Sequence, residues 1–305
     1  MNRKYKSPRA LKSAFMRRYQ DEPRRQLILL MQRFVARVCL EIDSAVVKGG
    51  LGLELRLDVP RTTKDADIII SGSHELDQRL EAAGKIDLGD FLIFRVQPDK
   101  STSIFHAPGM EYHGKRYVVQ AFFADGNISP TASPDRKFKV EASIRSAAGY
   151  DTIESVWDGF DQISPAEIRI YSLPWQLAEK VHAYTDPRHR ESENPDLMRP
   201  RDLLDLCRCA VAKSQVAQLQ SRELRYALVR TFEHRKSRDP SLHDLPSTIP
   251  PLPADWIASF MEQVRHDDLP WKKPEEAHAL AADFMDPVLD GRAAGTWHPE
   301  DRVWK

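Results

Sequence analysis

Apolar positions recur along the first forty residues with the spacing of a helix. Leu27, Leu30, Met31, Phe34, Val35 and Val38 form one stripe between Arg24 and Leu40. Arg24, Arg25, Arg33 and Arg37 fall among the positions expected to face water. A shorter helix is expected over 9–19. The period then changes. Ile68-Ile69-Ile70 reads as a buried strand. Residues 91–96, 117–123 and 137–144 read as further strands. The last alternates Phe138, Val140, Ala142 and Ile144 against Lys137, Lys139, Glu141 and Ser143. His113-Gly114 and Asp125-Gly126 read as turns, and 74–83 as a helix stopped by Gly84. From Ser172 onward the period is helical: 174–184, a helix from Pro200, 214–237 and 254–264, with the Pro-rich stretch 245–253 as a linker. The pattern predicts an α+β chain. A mixed β-sheet domain with flanking helices spans 1–165, its first eight residues disordered, and a mainly α-helical domain spans 166–305.

Composition changes this picture little. The 305 residues carry 45 Lys+Arg against 45 Asp+Glu, so net charge announces no nucleic-acid partner. The distribution is uneven. Residues 1–37 hold eleven Lys/Arg against only Asp21 and Glu22, and 254–305 hold eleven Asp/Glu against six Lys/Arg. The basic arm suits phosphate backbones, or it is a solvated helix face. Three cysteines, Cys39, Cys207 and Cys209, give no disulfide framework and point to a reducing cytoplasm. No apolar run approaches a membrane span, and no signal peptide is expected.

The chemistry concentrates in 46–70, VVKGGLGLELRLDVPRTTKDADIII. Val46-Val47 lead into Lys48-Gly49-Gly50, and Leu51, Leu55 and Leu57 suit one side of a short helix. Glycines there let backbone N–H groups approach phosphate oxygens at a helix start. Asp65 and Asp67, two apart on a strand, face one way about 7 Å apart. Like charges so placed are costly without a cation between them. Mg²⁺ fits, because it takes few protein carboxylates and completes its shell with water and substrate phosphates. A glycine turn, a helix and Asp-x-Asp on a strand describe a site for a metal–nucleoside triphosphate. Glu141 is the candidate third carboxylate; the other reading pairs it with Lys139 at the surface.

This block resembles the first motif of the DNA polymerase β-like nucleotidyltransferase superfamily and, more narrowly, the AbiEii/AbiGii toxin family, with its KGG, short helix and R-[TS]-x-D-x-D. The family commonly carries Asp where this chain has Glu141. A second match follows. Leu177-Ala178-Glu179-Lys180-Val181-His182-Ala183, then Arg201-Asp202-Leu203-Leu204-Asp205-Leu206, resemble the family's later motifs. The resemblance covers about residues 45–210. It implies a nucleotidyltransferase fold whose site lies in the cleft completed by the helical domain. It also implies Lys180 on the nucleotide phosphates and Asp202 essential for transfer. Arg201 stands where Lys is common, a fork in place of a point charge. Lys48, Gly49, Gly50, Arg61, Lys64, Lys180 and Arg201 are the expected nucleotide contacts. Asp65, Asp67 and Glu141 are the expected ligands of Mg²⁺, which Mn²⁺ could replace. A lysine from the helical half is physically apt, since metal ions alone leave a polyphosphate short of counter-charge. His182 reads either as a base or as a helix-face histidine packed on Tyr184. The loop 188–201 reads either as a grip on acceptor phosphates or as plain surface.

The function implied is transfer of an NMP from an NTP to an acceptor, with RNA at a tRNA 3′ end leading. The protein would be the toxin of a type IV-like toxin–antitoxin or phage-defence pair, with a cognate antitoxin and no membrane. Two other readings stand: a small-molecule, antibiotic-type nucleotidyltransferase, and a non-catalytic nucleotide or partner binder of the same fold.

Overall fold

The computed structural model describes residues 5–57, 63–72, 74–100, 104–106, 113–157, 160, 163–192, 194, 197–213 and 219–305. The chain divides into two compact units between Tyr171 and Ser172, with residues 53–57 also counted in the second.

The first unit opens on α1 (Pro8–Arg18) and α2 (Pro23–Glu41), then β1 (Val46–Lys48), α3 (Gly49–Glu54), β2 (Asp65–Ile70) and α4 (Leu76–Ala83). It continues with β3 (Leu92–Pro98), β4 (Ile104–His106), β5 (His113–Phe123), β6 (Arg136–Ile144), β7 (Tyr150–Ser155) and β8 (Ala166–Tyr171). Among the described residues these strands make one mixed sheet in the order β3-β5-β6-β2-β1-β8-β7, with β4 added to β5. β2 runs parallel to β6 and antiparallel to β1, and β1 runs parallel to β8. Helix α2 packs on the sheet but is buried on every side from Ile28 to Cys39, and Leu27 of the expected stripe is only half-buried. Phe34 sits 5.4 Å from Phe94 and 5.8 Å from Phe138, ring to ring.

Several expectations need correcting. Arg33 and Arg37 do not face water. Both are fully buried and grip Asp90, itself fully buried, at 2.6 and 2.5 Å. Burial opposes the Asp90 charge, yet the Arg37 and Arg33 guanidiniums hold its carboxyl below the usual carboxylate range. His113-Gly114 is no turn but the start of the long strand β5, paired with both β4 and β6. Gly84 caps α4 without a left-handed backbone. It is glycine because a Cβ there would meet the Phe94 carbonyl oxygen at 2.2 Å. In α3 the buried leucines are Leu51 and Leu53, with Leu57 beyond it, whereas Leu55 is half-exposed.

The second unit is helical: α5 (Leu173–Thr185), α6 (Pro187–Arg190), α7 (Pro200–Val211), α8 (Ser221–Arg238), α9 (Ile257–His266) and α10 (Pro274–Leu289). A small hairpin of β9 (Trp297–His298) and β10 (Val303–Trp304) closes the chain. Pro174 and Pro200 stand in the first turns of α5 and α7, where the missing N–H costs nothing. Leu53 and Leu57 join Leu177, Val181, Leu203, Leu206, Leu228, Phe260, Phe284 and Trp297 in one core. The Trp297 indole donates to the Ala210 carbonyl at 2.7 Å, which satisfies a buried polar group. Among the described residues no helix is long and apolar enough to cross a membrane.

Candidate active site

In the first unit the candidate residues form a charged row across four strands. Asp67 on β2 stands in register with Lys48 on β1 and Glu141 on β6, and Glu141 stands in register with Arg116 on β5. Register partners share a face, so the row reads Lys48, Asp67, Glu141, Arg116 on one side of the sheet. One step along, Asp65 is in register with Lys139 on that same side. The opposite face buries Ala66, Ile68, Val140 and Ala142. Alternation therefore does two jobs here: one set of residues anchors the sheet and the other presents acids.

Glycine sets the entry to this row. Gly49 opens α3 with a left-handed backbone, φ +64°, and Gly50 does not share it. A Cβ on Gly49 would lie 2.0 Å from Asp67 Oδ2. The Asp67 carboxylate thus rests against the start of α3, in a place only glycine leaves open. Lys48 is half-buried and Lys64 exposed. Arg61 lies outside the described residues.

The donor set is hard oxygen, which suits Mg²⁺. Asp65 and Asp67 share a face of β2 and both keep access to water, so each offers a carboxylate on that side. Glu141 is engaged differently: Arg116 Nε donates to its Oε1 at 2.5 Å. Among the described residues no group of three His, Cys, Asp or Glu side chains is arranged to hold a metal. Sequence reasoning missed Arg116, because nothing local marks it as the cross-strand partner of Glu141. A cavity of about 520 Å³ in this unit, lined by Glu81, Lys85, Phe91, Arg95, Asp125 and Asn127 among others, contains none of the expected residues.

In the second unit the expected pair is together. Helix α5 buries Leu177, Ala178, Val181 and Tyr184, which leaves Lys180 on a partly open side. Its ammonium donates to Asp202 Oδ1 at 3.0 Å and lies 2.6 Å from Asp205 Oδ2. Asp202 stands in the first turn of α7, where the helix dipole favours a carboxylate. Arg201, beside it, is exposed. Asp205 and Arg208 were not expected as site residues. The signal available was their spacing, since positions 202, 205 and 208 lie on one ridge of a helix.

His182 is not on the open side. It is buried, with its ring 4.8 Å from Phe232 and 5.4 Å from His243, not packed on Tyr184. Burial, reinforced by Arg235, pushes its pKa down to about 3, so the imidazole stays neutral. The expected loop 188–201 is helical at both ends, in α6 and α7, and Arg190 at the end of α6 donates to the Pro251 carbonyl and lies over the Tyr184 and Trp256 rings.

A mixed sheet that presents Asp-x-Asp beside a glycine-opened helix, followed by a helical unit carrying a lysine–aspartate pair, defines the nucleotidyltransferase class. The family model described as "Nucleotidyl transferase AbiEii toxin, Type IV TA system" matches residues 33–297. The chain belongs to this family of nucleotidyltransferase toxins, which implies an NTP substrate and a cognate antitoxin. Among solved structures, a Helicobacter pylori protein described as a candidate nucleotidyltransferase is similar at 17% identity and a TM-score of 0.49, over 89% of this chain and 96% of that one. JHP933 from Helicobacter pylori is similar at 16% identity and a TM-score of 0.46, over 89% and 93%. No curated protein matches the chain.

Proposed function

We propose that the protein transfers a nucleoside monophosphate from an NTP to the 3′ end of an RNA, with tRNA as the acceptor. Such transfer would block translation, and a cognate antitoxin would oppose it. The observation that carries this reading is the placement of Asp65 and Asp67 on one face of β2, with the Asp67 carboxylate against the left-handed Gly49. Asp65 and Asp67 would hold Mg²⁺, which when bound neutralises phosphate oxygens as a Lewis acid. Gly49 and Gly50 would offer backbone N–H groups to the phosphates. Lys180 would supply the positive charge that spreads over the β- and γ-phosphates, and Arg201 and Lys48 would add to it. Asp202, already hydrogen-bonded, would orient or deprotonate the attacking hydroxyl. Glu141, paired with Arg116, would be a third ligand only after giving up that partner. Chemistry of this kind is mostly positioning and charge stabilisation, so the roles other than that of Asp202 are electrostatic. The three buried free thiols suit action in the cytoplasm.

The test is incubation with each labelled NTP, Mg²⁺ and either total tRNA or a panel of small hydroxylated acceptors. Label on tRNA is the expected result. Label on a small acceptor would replace the acceptor class, and NTP binding without transfer to either would remove the catalytic reading.

A further inference from the structure

Asp205 and Arg208 are fully buried in the helical unit, one turn apart on α7. Charges taken out of water at that depth are tolerable only when paired. The pairing here runs in one direction. Arg208 Nη2 donates to Glu54 Oε2 at 3.0 Å, and its Nη1 donates to Asp205 Oδ1 at 3.0 Å. The other Asp205 oxygen, Oδ2, lies 2.6 Å from Lys180 Nζ, which also reaches Asp202. Each Asp205 oxygen thus faces a different cation. The two ends of the series differ in exposure. Asp205 and Arg208 side chains are 0% exposed and Glu54 6%, whereas Lys180 and Asp202 keep 12% and 15%.

A guanidinium fork that grips two carboxylates has little freedom. Asp205, held by that fork, is therefore a fixed anchor for the Lys180 ammonium. Asp202, at the open end, is the exchangeable partner. We infer that Glu54, Arg208 and Asp205 are positioning residues that set where Lys180 meets nucleotide phosphate. This rests on the reading of Lys180 given under the proposed function. Holding a long, flexible lysine in place before the ligand arrives removes an entropy cost from binding.

Glu54→Gln tests this best. The side chain keeps its shape and an acceptor oxygen, loses its charge, and is separated from Lys180 by two residues, Arg208 and Asp205. The apparent KM for the preferred NTP should rise three- to tenfold, about 0.7–1.4 kcal/mol, with kcat little changed and the melting temperature within a few degrees of wild type. Arg208→Lys, which keeps the charge but loses the fork, should move KM the same way. In a Lys180→Ala background, calorimetric titration with that NTP and Mg²⁺ should show no further loss of affinity from Glu54→Gln. A merely structural role would lower affinity by the same factor in both backgrounds. That outcome, or no effect in either, would overturn the proposal while wild-type transfer left the parent reading intact. A wild-type protein that neither binds nor transfers nucleotide would overturn both.

Discussion

Gly49 shows how one residue type meets a geometric constraint at the candidate site. Its φ of +64° would strain an L side chain by about 1–2 kcal/mol, and a Cβ would collide with Asp67 Oδ2. The crowded atoms, Oδ2, Cγ and Cβ of Asp67 at 2.0, 2.9 and 3.1 Å, all belong to one side chain, so Asp67 would be displaced while the backbone around it keeps its fold. Gly49→Ala should therefore keep a melting temperature within a few degrees of wild type yet lose at least tenfold in nucleotidyl transfer; undiminished transfer would show that the Asp67 position is unimportant. Gly49 and the Asp-x-Asp were legible in the sequence because both are local patterns. Arg116 was not. Its hydrogen bond to Glu141 spans 25 residues and depends on the pairing of β5 with β6. No single-strand pattern encodes that register.

Elements were legible where period and burial agreed. The alternation of β6 appears as expected from Lys137 to Ala142, because apolar side chains on one face are what the sheet buries, whereas α2 is buried on every side from Ile28 to Cys39 and not along one stripe. Reading failed where a polar side chain was buried through a distant partner. Arg33 and Arg37 look like a solvated helix face, but Asp90 lies 57 and 53 residues away in sequence. His182 failed in the same manner on α5, where Phe232 of α8 and His243 enclose it. Burial there has a consequence for pH. The His182 pKa is about 3 when folded and 6.5 when exposed, so the unfolded chain binds the proton more tightly. The stability it confers is complete above about pH 6.5 and is lost progressively toward pH 3. Between pH 7 and pH 5 this one residue should cost up to about 2 kcal/mol. Guanidinium unfolding at both pH values should show a smaller difference for His182→Phe than for wild type. Equal differences would contradict the burial argument. Strand β7 is not among the expected elements because it is polar along most of its length; α10 is not among them either, although Ala277, Leu280, Ala281, Phe284, Met285 and Val288 keep a helical period and Pro287 stands only in its last turn.

At the scale of the molecule, belonging to the AbiEii family follows from a match across 33–297, while the roles proposed for individual residues are read within each unit. The acid row of the sheet and the lysine–aspartate network of the helical unit are each complete in their own packing: alternation presents the first, and buried ion pairs hold the second. The measurement that bears on them together is transfer of label from NTP to tRNA as Mg²⁺ is titrated, in wild type and in Asp67→Asn. The account predicts saturable, Mg²⁺-dependent labelling of the tRNA 3′ end that falls by at least a hundredfold in Asp67→Asn, about 2.7 kcal/mol of lost transition-state stabilisation. Transfer that persists in Asp67→Asn, or that is indifferent to Mg²⁺, would contradict it.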